Sequence, residues 1–377
     1  MAKNLKFKSA VAVCALVAAA PAAAELKYEN ASGGYVLLYG QFHPGFSAVD
    51  DGVDSYNQFA DSDVSNSRVG LRLMQPLQGG MEFRFRFETA LGFPATSEYD
   101  QNGSTGVSSW SRTDLRHIDF SLSGDWGTLS AGQGSMSADG AAEIAGGAIS
   151  LPMYSYTGDG NGLYQFRTAG GALSGVTIGD VFDNFDGSRR GRIRYDSPTF
   201  NGFSVAVAYG KNILANPQPD DKFADIALMY ENEFANGIEF EGALAYQWRD
   251  RPGTENTDSF IASGAITLPV GLAFAAAYGD QNDKRPGATD PSYWYVQAAY
   301  DANFLAVGTT SFGIDYYSGK DYNSVGSDSE AWGVGVLQEF EDANVEAYLT
   351  YRNHSFDEVA TNYQDVSSWL LGARWKF

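Results

Sequence analysis

Three groups of residues in this chain are candidates for chemistry: charges at every second position, a few histidines and a dense acidic stretch. Glu82, Arg84, Arg86 and Glu88 alternate with Met81, Phe83, Phe85 and Phe87. A period of two puts the two sets on opposite faces of a strand. One face must contact something apolar and the other something wet. His43, His117 and His354 are the 3 histidines. Hydrolysis by acyl transfer needs a nucleophile, a base and an orienting group. The sequence contains neither a Gly-x-Ser-x-Gly elbow nor a His-Glu-x-x-His pair, so a hydrolase is the weaker reading and no enzyme is expected. Asp50, Asp51, Asp54, Asp61 and Asp63 stand close together. Carboxylates at this density, Asp50, Asp51 and Asp54 above all, could bind Ca²⁺ through its several oxygen ligands. Their spacing does not match an EF-hand loop, and a solvated acidic loop that repels anions is the simpler reading. No other cofactor is expected.

The elements that position these residues begin after a removable segment. Lys3, Lys6 and Lys8 precede an apolar run from Ala10 to Ala20, and Pro21 with Ala22, Ala23 and Ala24 offers a small-residue cleavage site. This is the pattern of a bacterial secretory signal, residues 1–24. The run is well below the ~20 residues that a spanning helix needs. The one cysteine, Cys14, leaves with the signal, so residues 25–377 form no disulfide. Removal takes three lysines and no acid, and the formal charge moves from −21 to −24. So acidic a chain is a poor nucleic-acid binder, since phosphate recognition needs clustered cations. Aromatic residues are plentiful, with 24 Phe, 22 Tyr and 7 Trp. No apolar run after the signal is long enough for a spanning helix, so if the mature chain lives in a membrane, only a closed barrel allows it.

From residue 34 onward, alternating segments of about ten residues are separated by connections that are short and long in turn. The short ones run from Pro76–Gly80 through Asp301–Phe304 to Glu341–Asn344, and each carries Gly, Pro, Asn or Asp. The long ones are polar and acidic, and the longest spans 135–187. Seven short turns and eight long loops connect sixteen strands. This layout predicts an all-β, 16-stranded antiparallel transmembrane barrel with short periplasmic turns and long external loops. An arginine facing lipid at mid-bilayer costs about 2–4 kcal/mol, so Arg84 and Arg86 should face the lumen. A secreted β-sandwich would explain the aromatics and the signal but not the asymmetry of the loops. Strand parity near Arg116–Leu122 is mixed, and its register is left open.

Several motifs in fixed order resemble the general (trimeric) porins of Gram-negative outer membranes. They are Asn66-Ser67-Arg68-Val69-Gly70-Leu71, Gly124-Asp125-Trp126-Gly127-Thr128-Leu129, Arg194-Tyr195-Asp196-Ser197-Pro198 and the terminal Phe377. The resemblance implies a water-filled channel for passive diffusion of small hydrophilic solutes and ions, with a substrate-specific sugar or anion porin as the alternative. It implies a homotrimer in the outer membrane, in contact with lipid and lipopolysaccharide. Phe377 would be the signal read by the barrel-assembly machinery. The third loop would fold into the lumen, its carboxylates facing a ladder of wall arginines. By position, Arg68 and Arg116 match that ladder, with a third from Arg189, Arg190 or Arg192; Arg72, Arg84 and Arg86 lie nearby. Ala141-Ala142-Glu143-Ile144-Ala145-Gly146-Gly147 resembles the acidic loop tip, which makes Glu143 the first carboxylate and Asp139 the second. The loop's later acids, Asp180, Asp183 and Asp186, could also reach the pore. Charges opposed across a narrow gap would filter solutes by size and sign. The net charge favours mild cation preference.

Overall fold

The computed structural model describes residues 26–104, 108–217 and 219–377, and the expected signal segment lies outside them. Five strands precede the third loop: β1 (Tyr35–Phe42, resumed as Pro44–Asp50), β2 (Ser55–Asp61, resumed as Arg68–Pro76), β3 (Glu82–Ala90), β4 (Leu115–Gly124) and β5 (Gly127–Ser135). After it come β6 (Arg189–Asp196), β7 (Phe203–Lys211), β8 (Lys222–Glu233), β9 (Glu239–Asp250), β10 (Thr257–Thr267) and β11 (Leu272–Asp283). The last five are β12 (Ser292–Leu305), β13 (Gly308–Lys320), β14 (Asp328–Phe340), β15 (Val345–Glu358) and β16 (Val366–Lys376).

Each strand pairs antiparallel with its neighbours, and β16 pairs back onto β1 from Ser367↔Asp50 to Gly372↔Gly45. The result is a closed barrel of 16 strands. At the seam, Phe377 and Gly40 exchange both backbone hydrogen bonds, at 3.0 and 2.9 Å. A short strand, Leu26–Glu29, pairs with β1 beyond the chain terminus. Closure leaves no unpaired edge to desolvate, which is what a sheet in lipid requires.

Alternation sorts the residues as expected. The outward face carries Ile226, Leu228, Val296, Ile314 and Val334, all exposed in the isolated chain. Trp248, Trp294, Trp332 and Trp369 stand above this band, and Phe203, Phe240, Phe274 and Phe312 below it. These are the aromatic girdles of a transmembrane barrel. The mixed parity of β4 has a local cause. Glu88 pairs with His117 but Thr89 with Leu115, so Arg116 is the extra residue of a bulge. A bulge turns one side chain to the other face, and Arg116 reaches the lumen although Ile118 and Phe120 point outward.

Several boundaries differ from expectation, among them that of the first loop, where Ser55–Asp61 is a paired strand. β12 continues to Leu305, so its turn is Ala306–Val307 rather than Asp301–Phe304; Asp301 and Ala302 remain paired with β13, and Gly308, at φ 141°, makes the turn. The fifth loop, expected at about 250–258, is 251–256 because the ladder continues through Arg249↔Thr257.

The core sits inside the barrel. The third loop, residues 136–188, is folded into the lumen and brings its own apolar groups, among them Ile149, Met153, Phe166, Ile178, Val181 and Phe182, all fully buried. Small inward residues make room for it: Ala227, Ala243, Ala273, Ala275 and Ala277 are buried on β8, β9 and β11. A Cβ on Gly313 would stand 3.0 Å from Ile149, and one on Gly335 would stand 2.7 Å from Met153 Sδ. The wall is therefore shaped to the loop.

Candidate pore constriction

A loop in a barrel has no ladder of its own, so its backbone polar groups need side-chain partners. The wall supplies them in sequence. Asp225 on β8 accepts from Ser137 Oγ at 2.6 Å and from Ala138 N at 3.1 Å. Ser263 on β10 donates to Ala141 O at 2.6 Å. Gln297 on β12 accepts from Gly146 N at 2.9 Å and donates to Met153 O at 2.8 Å. Ser311 on β13 accepts from Ile149 N at 3.1 Å, and His354 Nε2 on β15 lies 2.8 Å from Thr157 O. Ser47 on β1 donates to Asn161 at 2.7 Å, and Tyr164 donates to Gln58 on β2 at 2.9 Å. The loop thus travels most of the way around the inner wall before returning to β6. A hairpin within it, Gln165–Thr168 with Leu173–Thr177, pairs with Thr361–Gln364 of the eighth loop and covers part of the mouth.

The opening that remains lies between this loop and β1–β6. There, Glu88 is the hub of the wall, with its side chain 2% exposed. Arg86 and Arg116 each pair with it at 2.7 Å, Arg68 at 3.9 Å, and Tyr39 OH donates to it at 2.8 Å. Three expected wall arginines therefore converge on one carboxylate. Arg374 extends the strip: it shares Ser65 Oγ with Arg68, at 3.2 and 3.1 Å, and pairs with Glu346 at 2.6 Å.

Glu143 projects from the loop into a space of about 430 Å³ that it shares with Ser65, Tyr154, Glu241 and Arg374. Glu143 is open to the lumen water, but the low-dielectric walls crowded around it first, and the charge of Asp139 next, push its carboxyl up to about 7, against the pull of Arg189. The tip is braced from behind, because Asp186 accepts from Gly140 N and Ala142 N, both at 2.7 Å.

Other expected residues stand elsewhere. Arg84 pairs with Glu82 nearer the periplasmic turn and remains open to the lumen water. Arg72 lies 4.3 Å over the Tyr39 ring. Arg192, expected on the pore wall, is instead buried at the root of the third loop, paired with Asp119 at 2.6 Å and donating to Ser135 O. The crossing of loop and strand needs a donor there. Arg190 faces the outer mouth, 3.8 Å over Phe223 and bonded to Asn212. Arg189 is the one of the three beside Arg116. Asp180 caps the short helix Ile178–Val181 through Thr177, while Asp183 and Asp186 line a cavity with Arg190 at the outer mouth and not the space around Glu143. In the first loop, Asp51 pairs with Arg167 at 2.7 Å and accepts from Asp54 N, while Asp50 accepts from Ser55. Among the described residues no group of three or more metal-ligating side chains is gathered. Glu241 and Arg374 were not expected at the constriction, and Glu88 was named only as a lumen-facing charge, without a role there. Glu88 was nonetheless legible, as the last inward position of the Met81–Glu88 alternation.

A closed barrel with an apolar belt, a charged lumen and an inward loop defines a transmembrane channel. The Gram-negative porin family model matches residues 10–359, so the chain belongs to that family. It is an outer-membrane channel for passive diffusion. No curated protein matches the sequence significantly. Among solved structures, an anion-selective porin from Comamonas acidovorans is 16% identical, with 91% of this chain and 100% of that chain covered at a TM-score of 0.62. OmpF of Salmonella typhi in complex with daunomycin is 16% identical, covering 93% and 100% at a TM-score of 0.59. A trimer form of OmpT from Vibrio cholerae is 15% identical, covering 91% and 99% at a TM-score of 0.58. At these identities the likeness is one of fold.

Proposed function

We propose that this porin selects its solutes at the gap between Glu143 and the wall strip of Arg68, Arg86, Arg116 and Arg374. The observation that carries the reading is the convergence of Arg68, Arg86 and Arg116 on Glu88, with Arg374 beside them on Glu346, opposite a loop whose carboxylate enters the same passage. Asp139 adds negative charge on the loop side, and Arg189 adds positive charge above Arg116. Fixed opposite charges across a narrow gap orient water and discriminate solutes by sign. The protein acts by passage alone, without a catalytic step, as its family and fold suggest. It works as a homotrimer in the outer membrane, as the trimer form of its structural relative suggests. Phe377, whose ring packs at a tilt against both Phe42 and Trp375, serves as the assembly signal.

The test is reconstitution in planar bilayers with a KCl gradient. Conductance in groups of three steps with mild cation preference is expected. Correctly folded protein without channel activity would overturn the reading.

A further inference from the structure

Above the constriction, on its arginine side, a second compartment of about 430 Å³ opens toward the outer mouth. Its roof is the fourth loop, tied down by an arginine of the second. Arg112 donates from Nε to Leu214 O and from Nη2 to Ala215 O, both at 2.8 Å. The lining divides by chemistry. Ile213, Leu214, Leu115 and Ala90 make an apolar side. Arg116, Arg189 and Gln133 make a polar one.

Two buried polar atoms there have no partner. Arg189 Nε is a donor without an acceptor, and Gln133 Oε1 is an acceptor without a donor, on a residue only 4% exposed. An unmade hydrogen bond in a buried place costs about 1–3 kcal/mol, which a rotation of either side chain toward a ligand in the compartment would recover. Arg116 is shared between Glu88 and Asn66. The one acid in the lining, Asp114, is engaged by Ser111 N at 2.5 Å. Arg189 forms no ion pair with any described residue and is the guanidinium left to meet an incoming anion.

We propose that this compartment is a binding subsite for small carboxylates that carry an apolar body and a hydroxyl group, hydroxybenzoates being the representative class. The carboxylate accepts from Arg189 and Arg116. The ring lies against Ile213 and Leu214, and the hydroxyl donates to Gln133 Oε1. The subsite rests on the channel reading, since it would capture such anions at the mouth before they enter the constriction.

The probe is 4-hydroxybenzoate, with acetate, benzoate and 4-hydroxybenzyl alcohol for comparison. It is added on the loop side of single channels in planar bilayers, and in parallel titrated into folded protein in detergent by calorimetry. Heat-modifiable gel migration checks that each variant is folded. Brief current interruptions are expected with 4-hydroxybenzoate, weaker ones with benzoate, and none with acetate or the alcohol. Arg189→Gln should weaken binding by about tenfold or more, the size of a lost charged hydrogen bond. Gln133→Leu should remove only the advantage of 4-hydroxybenzoate over benzoate. A conducting channel on which 4-hydroxybenzoate acts like acetate, or an Arg189→Gln variant that binds equally well, overturns the subsite and leaves the channel reading intact. Folded protein that binds the probe through Arg189 but passes no current supports the subsite and overturns the channel reading. Folded protein that neither binds nor conducts overturns both.

Discussion

Glu88 holds three arginines that would otherwise repel one another across a few ångströms. Removing one partner of a buried charge network leaves the others uncompensated, at a cost of about 3–5 kcal/mol. Glu88→Gln should therefore lower the resistance of the barrel to denaturant. In the folded fraction it should swing the reversal potential toward anions, because Arg68, Arg86 and Arg116 keep their charge. A folded variant with an unchanged reversal potential would show that the hub does not set selectivity. Glu143 works in the opposite direction. With its carboxyl pushed up to about 7, it is ionised at pH 8 and protonated at pH 6. Protonation removes a negative charge from the gap, so cation preference should fall as the pH drops through that window. Glu143→Gln should show the low-pH selectivity at every pH, and a pH-independent wild type would remove Glu143 from the filter.

At the scale of elements, the third loop is held, outside its short hairpin, by side chains rather than by a ladder, which makes each tether separable. Gln297 satisfies both Gly146 N and Met153 O. Gln297→Leu keeps most of the volume but strands two backbone groups, a loss of about 1–3 kcal/mol each. The loop tip should loosen, and this should register as noisier open-channel current and faster limited proteolysis within 136–188. Quiet current and unchanged cleavage would mean that apolar packing of Ile149 and Met153 suffices. The bulge at Arg116 is a second separable device, because it turns one arginine inward on a strand whose parity would send it to lipid.

For the whole molecule, the seam between β1 and β16 decides closure. Phe377 supplies two backbone bonds to Gly40 and a ring against Phe42 and Trp375. Deleting Phe377 should sharply reduce the heat-modifiable, detergent-folded form, while a conservative Phe377→Tyr should retain most of it. Equal yields from both would argue against a role in assembly. The net charge of −24 that remains after signal removal is a property of the whole chain and says little about the pore. The arginines gather along the lumen wall while many acids lie in the loops, so selectivity has to be read from the gap.

Strand count, loop asymmetry and the facing of Arg84 and Arg86 were determined by the sequence itself. Alternation with a period of two is local, and each charged residue is barred from lipid wherever its strand sits. The inward third loop was available only through family resemblance, and its path around the wall came from tertiary contacts. So did the choice among Arg189, Arg190 and Arg192, three arginines in four residues. Parity puts Arg190 and Arg192 on one face, but Asp119 buries one and Phe223 holds the other at the mouth. Arg116 defeated parity because a bulge is a mismatch between two strands, and neither strand carries it alone. Glu88 became a hub for the same reason. Its face is set by its own strand, which also supplies Arg86, but Tyr39, Arg68 and Arg116 come from β1, β2 and β4, and only the pairing of those strands brings them within reach.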